Sequence, residues 1–217
     1  MRFSAALLTV AVLVLALGCV PAEPPRFPEI SFNRPLADQP PDEPMGYSGS
    51  AFTLAYRGKV FLVSVAHVVA GPPTSFFFHA DGHWIHVANE WKLSTIDLAA
   101  VDVSDVYPAE KAGQLKIGRG DLIVGVSRLI AFCNPRLSPT PFVGVYLAKE
   151  EFGIELVFSG EGLVHACGGA ALVDYGGSVR GIITSGSAKD APPKLGYAIP
   201  SESIARFLDE QFFKTAQ

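Results

Sequence analysis

From Met45 onward, short apolar runs rich in Val, Ile, Phe and Thr recur, each closed by Gly, Pro, Asn or Asp. Runs of this length between turn-forming residues predict strands. They fall at 50–56, 59–64, 74–79, 84–91, 96–103, 121–132, 142–147, 154–158, 170–173, 179–185 and 195–199. Many short strands without a long helix point to an all-β sandwich or barrel. One helix closes the chain. Pro200 stops the last strand, Ser201 is placed to cap the helix, and Ile204, Phe207, Leu208 and Phe212 repeat at helical spacing.

The first residues follow another pattern. Arg2 precedes an apolar run over 5–17, too short to favour a membrane span, so residues 1–18 read as a secretory signal. The segment Leu15-Ala16-Leu17-Gly18-Cys19 resembles the lipobox of bacterial lipoproteins. That resemblance implies a lipid-modified Cys19, a membrane anchor, and a place in the bacterial periplasm or envelope. It departs from the motif at Ala16, where Leu is preferred, and cleavage near Ala22 is the alternative; either route exports the chain. Residues 19–45 are crowded with proline, at 21, 24, 25, 28, 35, 40, 41 and 44. Proline blocks ladder hydrogen bonds and favours extended chain, so this stretch reads as a tether, with one domain over 46–217.

Composition narrows the partners. A net charge of -4 over 217 residues gives no basic surface, which argues against nucleic acid. Three cysteines, at 19, 133 and 167, are too few for a disulfide-built scaffold.

Three short stretches carry candidate chemistry. Ser64-Val65-Ala66-His67-Val68-Val69 ends an apolar run on a histidine; alone, it reads as a hydrogen-bonded core residue. Ile96-Asp97-Leu98-Ala99-Ala100-Val101 sets a carboxylate beside a buried-looking strand, where it must be solvated or paired. Asp102 and Asp105 are close by, and chemistry alone does not choose among the three. His165-Ala166-Cys167-Gly168-Gly169-Ala170 sets a thiol in a turn of small residues, where glycines permit positive φ and close backbone approach. A buried structural cysteine fits there equally well.

Taken in order, His, Asp and Cys follow the chain order of the chymotrypsin-type triad. The stretch Gly49-Ser50-Ala51-Phe52 followed by Val63 to Ala70 resembles the GSGF … VTAAHVV opening of trypsin-like proteases, especially bacterial envelope enzymes of the high-temperature-requirement type. Asp97-Leu98-Ala99 resembles their DLA strand, and Cys167-Gly168-Gly169 stands where they read Ser-Gly-Gly. Gly181 to Gly186 is similar to their substrate-binding strand, and Gly196-Tyr197-Ala198-Ile199-Pro200 to the GFAIP before their last helix.

The resemblance implies a chymotrypsin-like fold of two six-stranded antiparallel β-barrels with a C-terminal helix. It also implies an endopeptidase with His67 as base, Asp97 orienting it, and Cys167 as nucleophile. Backbone N–H groups of His165 and Cys167 would form the oxyanion hole, and Thr184, Ser185 and Gly186 would line the substrate strand. The partner implied is a peptide or protein substrate, and no cofactor is implied. The family has Gly two residues before its nucleophile, where this chain has His165. That departure favours the rival reading, an inactive protease-fold protein that binds extended peptides. A disulfide between Cys167 and Cys133 in an oxidising compartment is a further alternative.

Three other features carry less. His79, His83 and His86 look metal-like, but residues 83 and 86 of one strand face opposite sides, which speaks against zinc. Arg119-Gly120-Asp121 spells an adhesion tripeptide that turns before strands also produce. Glu161 lies where trypsin-like enzymes hold a charge-selecting residue, without a loop length that fixes its place.

Overall fold

Strand β4 (Lys59–Val65) shows how the molecule is layered, because all of its residues after Lys59 are buried. Alternate side chains of a strand point to opposite faces. Val60 and Leu62 enter one apolar cluster, with Phe76, Phe78, Trp91, Val101 and Tyr107. Phe61, Val63 and Val65 enter another, with Leu98, Ala171, Val179, Ile182, Ile204 and Leu208. The first cluster fills the N-terminal half; the second is a layer between the two halves. A third, around Leu129, Ala131, Cys167, Leu172, Ile183 and Ala198, fills the C-terminal half. Each fully buried Phe, Leu or Ile in these layers contributes roughly 1.5–3 kcal/mol.

These layers come from a computed structural model that describes residues 29–33, 48–70, 75–80, 83–110, 112, 115–133, 140–149, 156–159, 167–186 and 195–214. Residues 1–18, expected to be a secretory signal, and Cys19 lie outside them. In the N-terminal half, β1 (Glu29–Asn33), β2 (Ser48–Ser50), β5 (Ser75–Ala80) and β6 (His83–Val87) form one sheet in the order β2-β1-β5-β6. β3 (Phe52–Tyr56), β4, β7 (Lys92–Leu93) and β8 (Leu98–Asp102) form a second, in the order β3-β4-β8-β7. The sheets meet at corners, with Ala51 alone separating β2 from β3.

The C-terminal half closes on itself. β10 (Arg128–Cys133), β11 (Thr140–Lys149), β12 (Leu156–Ser159), β15 (Leu195–Pro200), β14 (Ser178–Gly186) and β13 (Ala171–Asp174) pair in that order, all antiparallel, and β13 pairs back onto β10. Short β9 (Lys116–Ile117) adds in parallel to the start of β14. The fold is therefore all-β, with a closed six-stranded barrel in the C-terminal half and two four-stranded sheets around one core in the N-terminal half. The N-terminal half departs from six continuous strands, because its strands break at the corners into shorter pieces.

Three expectations need correction. The tether is not free throughout, since Glu29–Asn33 within it pairs with both β2 and β5. The strand expected over 121–132 begins only at Arg128. Before it, the Ile123 N–H donates to Ser127 Oγ at 2.8 Å and the Ser127 N–H to the Ile123 carbonyl at 2.9 Å, with Gly125 at φ 71, so 123–127 is a turn. Ser201 does not cap the last helix either. Helix α2 (Ser201–Leu208) takes Pro200 as its N-cap, while the Ser201 hydroxyl donates to the Gly118 carbonyl at 3.0 Å, tying the helix to the loop after β9.

Ile204, Phe207 and Leu208 of α2 are buried, as the helical spacing predicts. The helix widens into a π turn over Asp209–Phe213. Phe212 packs on Phe61 with centroids 4.7 Å apart, and Phe213 packs on Tyr56 at 6.0 Å. The Tyr56 hydroxyl donates to Asp209 at 3.1 Å, and Arg57 in the β3–β4 turn pairs with the same carboxylate at 2.9 Å. Residues 209–213 are thereby fixed to the N-terminal half.

Candidate active site

His67 lies on α1 (Ala66–Val69), a single helical turn entered directly from β4. Register places Val65 opposite Leu98, so the residue just before β8 meets the start of this turn. That residue is Asp97, at φ 63. The left-handed region is uncommon for a residue with a side chain, and Asp tolerates it better than most. Three hydrogen bonds hold it there: the Ala66 N–H donates to its carbonyl at 2.9 Å, the His67 N–H to Oδ1 at 2.9 Å, and Oδ2 lies 2.7 Å from His67 Nδ1. One carboxylate thus fixes both the backbone and the ring of His67. With the carboxylate ionised, Nδ1 donates and Nε2 is left as an acceptor.

Geometry also separates Asp97 from its neighbours. Asp102 pairs with Lys59 at 2.7 Å and accepts from the Ser104 hydroxyl and N–H. Partial burial pushes the Asp102 carboxyl up, but the bonds from Lys59 and Ser104 outweigh this and hold it below the usual 3.8. Asp105 faces Asn89 at 3.5 Å. Only Asp97 of the three reaches the histidine.

The C-terminal half presents a tight turn to this pair. The Ala170 N–H donates to the Cys167 carbonyl at 2.9 Å, and Gly169 at φ 90 supplies the conformation that such a turn demands. Only glycine fits at 169, because a Cβ there would lie 1.9 Å from the Ser50 carbonyl oxygen and 2.5 Å from Ser64 Oγ. Ser64 donates to that same carbonyl at 2.9 Å, and the Ser50 N–H donates to the Gly168 carbonyl at 3.1 Å. The two halves are latched together at the turn. His67 reaches it, since a Cβ on Gly168 would stand 3.3 Å from Nε2.

Cys167 itself is 4% exposed, packed with Leu129, Ala131, Ala170, Leu172 and Ile183, and it is disulfide-bonded. The resemblance implies a free nucleophilic thiol; the structure holds the sulfur oxidised. The bond takes Cys167 out of nucleophilic use for as long as it persists, because the thiolate is the attacking species. The side chains of Cys133 and Cys19 lie outside the described residues.

Of the remaining expected site residues, Thr184, Ser185 and Gly186 end β14, with Ser185 and Gly186 exposed. There β14 pairs with β15 on one side, Ser185 opposite Tyr197 and Gly186 opposite Gly196. Its pairing with β13 ends at Ile182 and Ile183 bonds the backbone of Gly169 and Ala170, so among the described residues no strand pairs with the other edge at 184–186. His165 and Glu161 lie outside the described residues, which leaves Cys167 as the described member of the expected oxyanion hole. No group of three metal-ligating side chains occurs among the described residues. His86 stacks near Phe77 at 5.0 Å. The Arg119 and Gly120 carbonyls of the adhesion-like tripeptide accept from buried Arg180, a turn-stabilising role.

Ser50 and Ser64 are the site residues that sequence reasoning overlooked. Ser64 gives a signal in hindsight, as a fully buried hydroxyl within an otherwise apolar run, and a buried hydroxyl needs a partner.

No protein-family model matches the chain, and no curated protein sequence matches it significantly. Solved structures do match, 489 chains in all, so the fold is a widely used one. One is the crystal structure of the serine endoprotease from Yersinia pestis, with a TM-score of 0.67 and 20% identity, covering 86% of this chain and 62% of that one. This chain therefore spans less than two thirds of that protein. Likeness at this identity shows the fold, and activity has to be argued from the site.

Proposed function

We propose that the chain is an exported trypsin-like endopeptidase in which His67, Asp97 and reduced Cys167 hydrolyse peptide bonds. The observation that carries this reading is the His67–Asp97 pair, 2.7 Å apart, set against the Cys167–Gly168–Gly169 turn. His67 Nε2 takes the thiol proton, and the thiolate attacks the peptide carbonyl. The backbone N–H of Cys167, with that of His165, steadies the developing oxyanion. Protonated His67 then gives its proton to the leaving amine, and water cleaves the thioacyl intermediate. The open edge of β14 offers main-chain partners to an extended substrate. Export rests on the 5–17 apolar run, and the lipid anchor on Cys19.

A second reading, peptide binding without cleavage, is favoured by the burial and disulfide of Cys167. A thiol-reactive peptidyl probe separates the two. On the full chain in reducing buffer, labelling at Cys167 that disappears in His67→Ala and Cys167→Ala supports hydrolysis. A reduced wild type that stays unlabelled, while its cleft binds the peptide, supports the second reading.

A further inference from the structure

Two observations around the turn belong together. Cys167 is bonded through its sulfur, and the apolar cluster it belongs to includes Leu129 and Ala131, both on β10. That strand runs antiparallel to β13, with Ala131 opposite Leu172, and it ends two residues later at Cys133. Positions 129, 131 and 133 share the period-two spacing that returns a strand to one face. The other cysteine of the chain, Cys19, is more than a hundred positions distant and sits in the lipobox-like segment. We propose that Cys133 is the partner of Cys167, and that this disulfide is a reversible lock on the site, opened by a dithiol reductant.

In the locked form the Cys167 sulfur is committed to the barrel wall, while His67 and Asp97 are already assembled 2.7 Å apart. Nothing on the N-terminal side needs to be rebuilt on opening. A thiolate of the reductant attacks one sulfur of the disulfide and forms a mixed disulfide; the second thiol of the reductant displaces it and leaves as a cyclic disulfide. Two electrons pass to the protein, and each cysteine ends as a thiol. Cys167 can then give its proton to His67 Nε2. In an oxidising compartment the lock is the resting state, so activity would follow the supply of a reducing dithiol. The bond is independent of the protease reading; its consequence for activity rests on that reading.

The test uses the full chain, purified without reductant. Peptide mapping by mass spectrometry should find a Cys133–Cys167 cross-link that disappears on treatment with dithiothreitol. Alkylation of Cys167 by iodoacetamide should rise at least tenfold with dithiothreitol in the wild type, and should need no reductant in Cys133→Ala. A Cys19–Cys167 link, a bond between two chains, or a Cys167 that alkylates equally with and without reductant would overturn the proposal. Because Cys133→Ala could misfold, the wild type with and without reductant decides by itself, with circular dichroism checking that the reduced protein stays folded. Peptide hydrolysis is followed alongside. A lock that opens without hydrolysis sinks the protease reading alone, and hydrolysis that ignores reductant sinks the lock alone.

Discussion

His67 faces the Cys167–Gly168–Gly169 turn from the opposite half of the molecule, yet the His67 side chain is 51% exposed and Cys167 is 4% exposed. On the N-terminal side, position is set by noncovalent contacts, with three hydrogen bonds converging on Asp97 at φ 63 and Val68 and Val69 buried beneath the turn. On the C-terminal side it is set by covalent and steric constraint: a disulfide at Cys167 and a glycine that no other residue can replace. The His67–Asp97 pair is thus fully assembled while the Cys167 sulfur is bonded and buried.

The contrast breaks most severely at Gly169. Gly169→Ala must push the turn away from Ser50, and the overpacking should cost ~3 kcal/mol of stability, together with hydrolysis. Urea denaturation measures it, and an unchanged midpoint would show that the turn is not sterically latched. Asp97→Asn should leave stability nearly intact but lower hydrolysis by the reduced protein roughly 10²- to 10⁴-fold, the range of general acid–base assistance. Steady-state kinetics with dithiothreitol present checks this.

Asp102→Asn should leave the cleft alone and lower stability at neutral pH, by a difference that closes as the solution is acidified. The Asp102 carboxyl is held below the usual 3.8 in the folded state, so its contribution is present above that value and is lost as pH falls through the lower folded one. The wild type should therefore lose stability below about pH 4 more steeply than Asp102→Asn. Melting temperatures across pH 2 to 6 would show parallel curves if the Lys59 pairing contributes nothing.

Much of this was legible in the sequence, and the reasons differ by region. Strands such as β4, β8 and β14 announced themselves because they are buried on both faces and so read as continuous apolar runs. The 121–132 stretch misled because Ile123, Val124 and Val126 are apolar yet exposed, in a turn closed by Ser127. Strand β1 was hidden among prolines that suggested a tether, and only its pairing with β2 and β5 reveals it. At the site, the order of His67, Asp97 and Cys167 was visible. Chemistry alone did not separate Asp97 from Asp102, and the DLA resemblance did; a disulfide at Cys167 stood as an alternative to the free thiol. The latch through Ser50 and Ser64 was not visible, because it joins residues far apart in the chain.

His67 is proposed to activate Cys167 once the sulfur is free. The rate of Cys167 alkylation by iodoacetamide, followed from pH 5 to 9 with dithiothreitol present, tests it most directly in the wild type and His67→Ala. The account predicts fast alkylation at neutral pH in the wild type and a rate at least tenfold lower in His67→Ala. Superimposable profiles for the two proteins would contradict it.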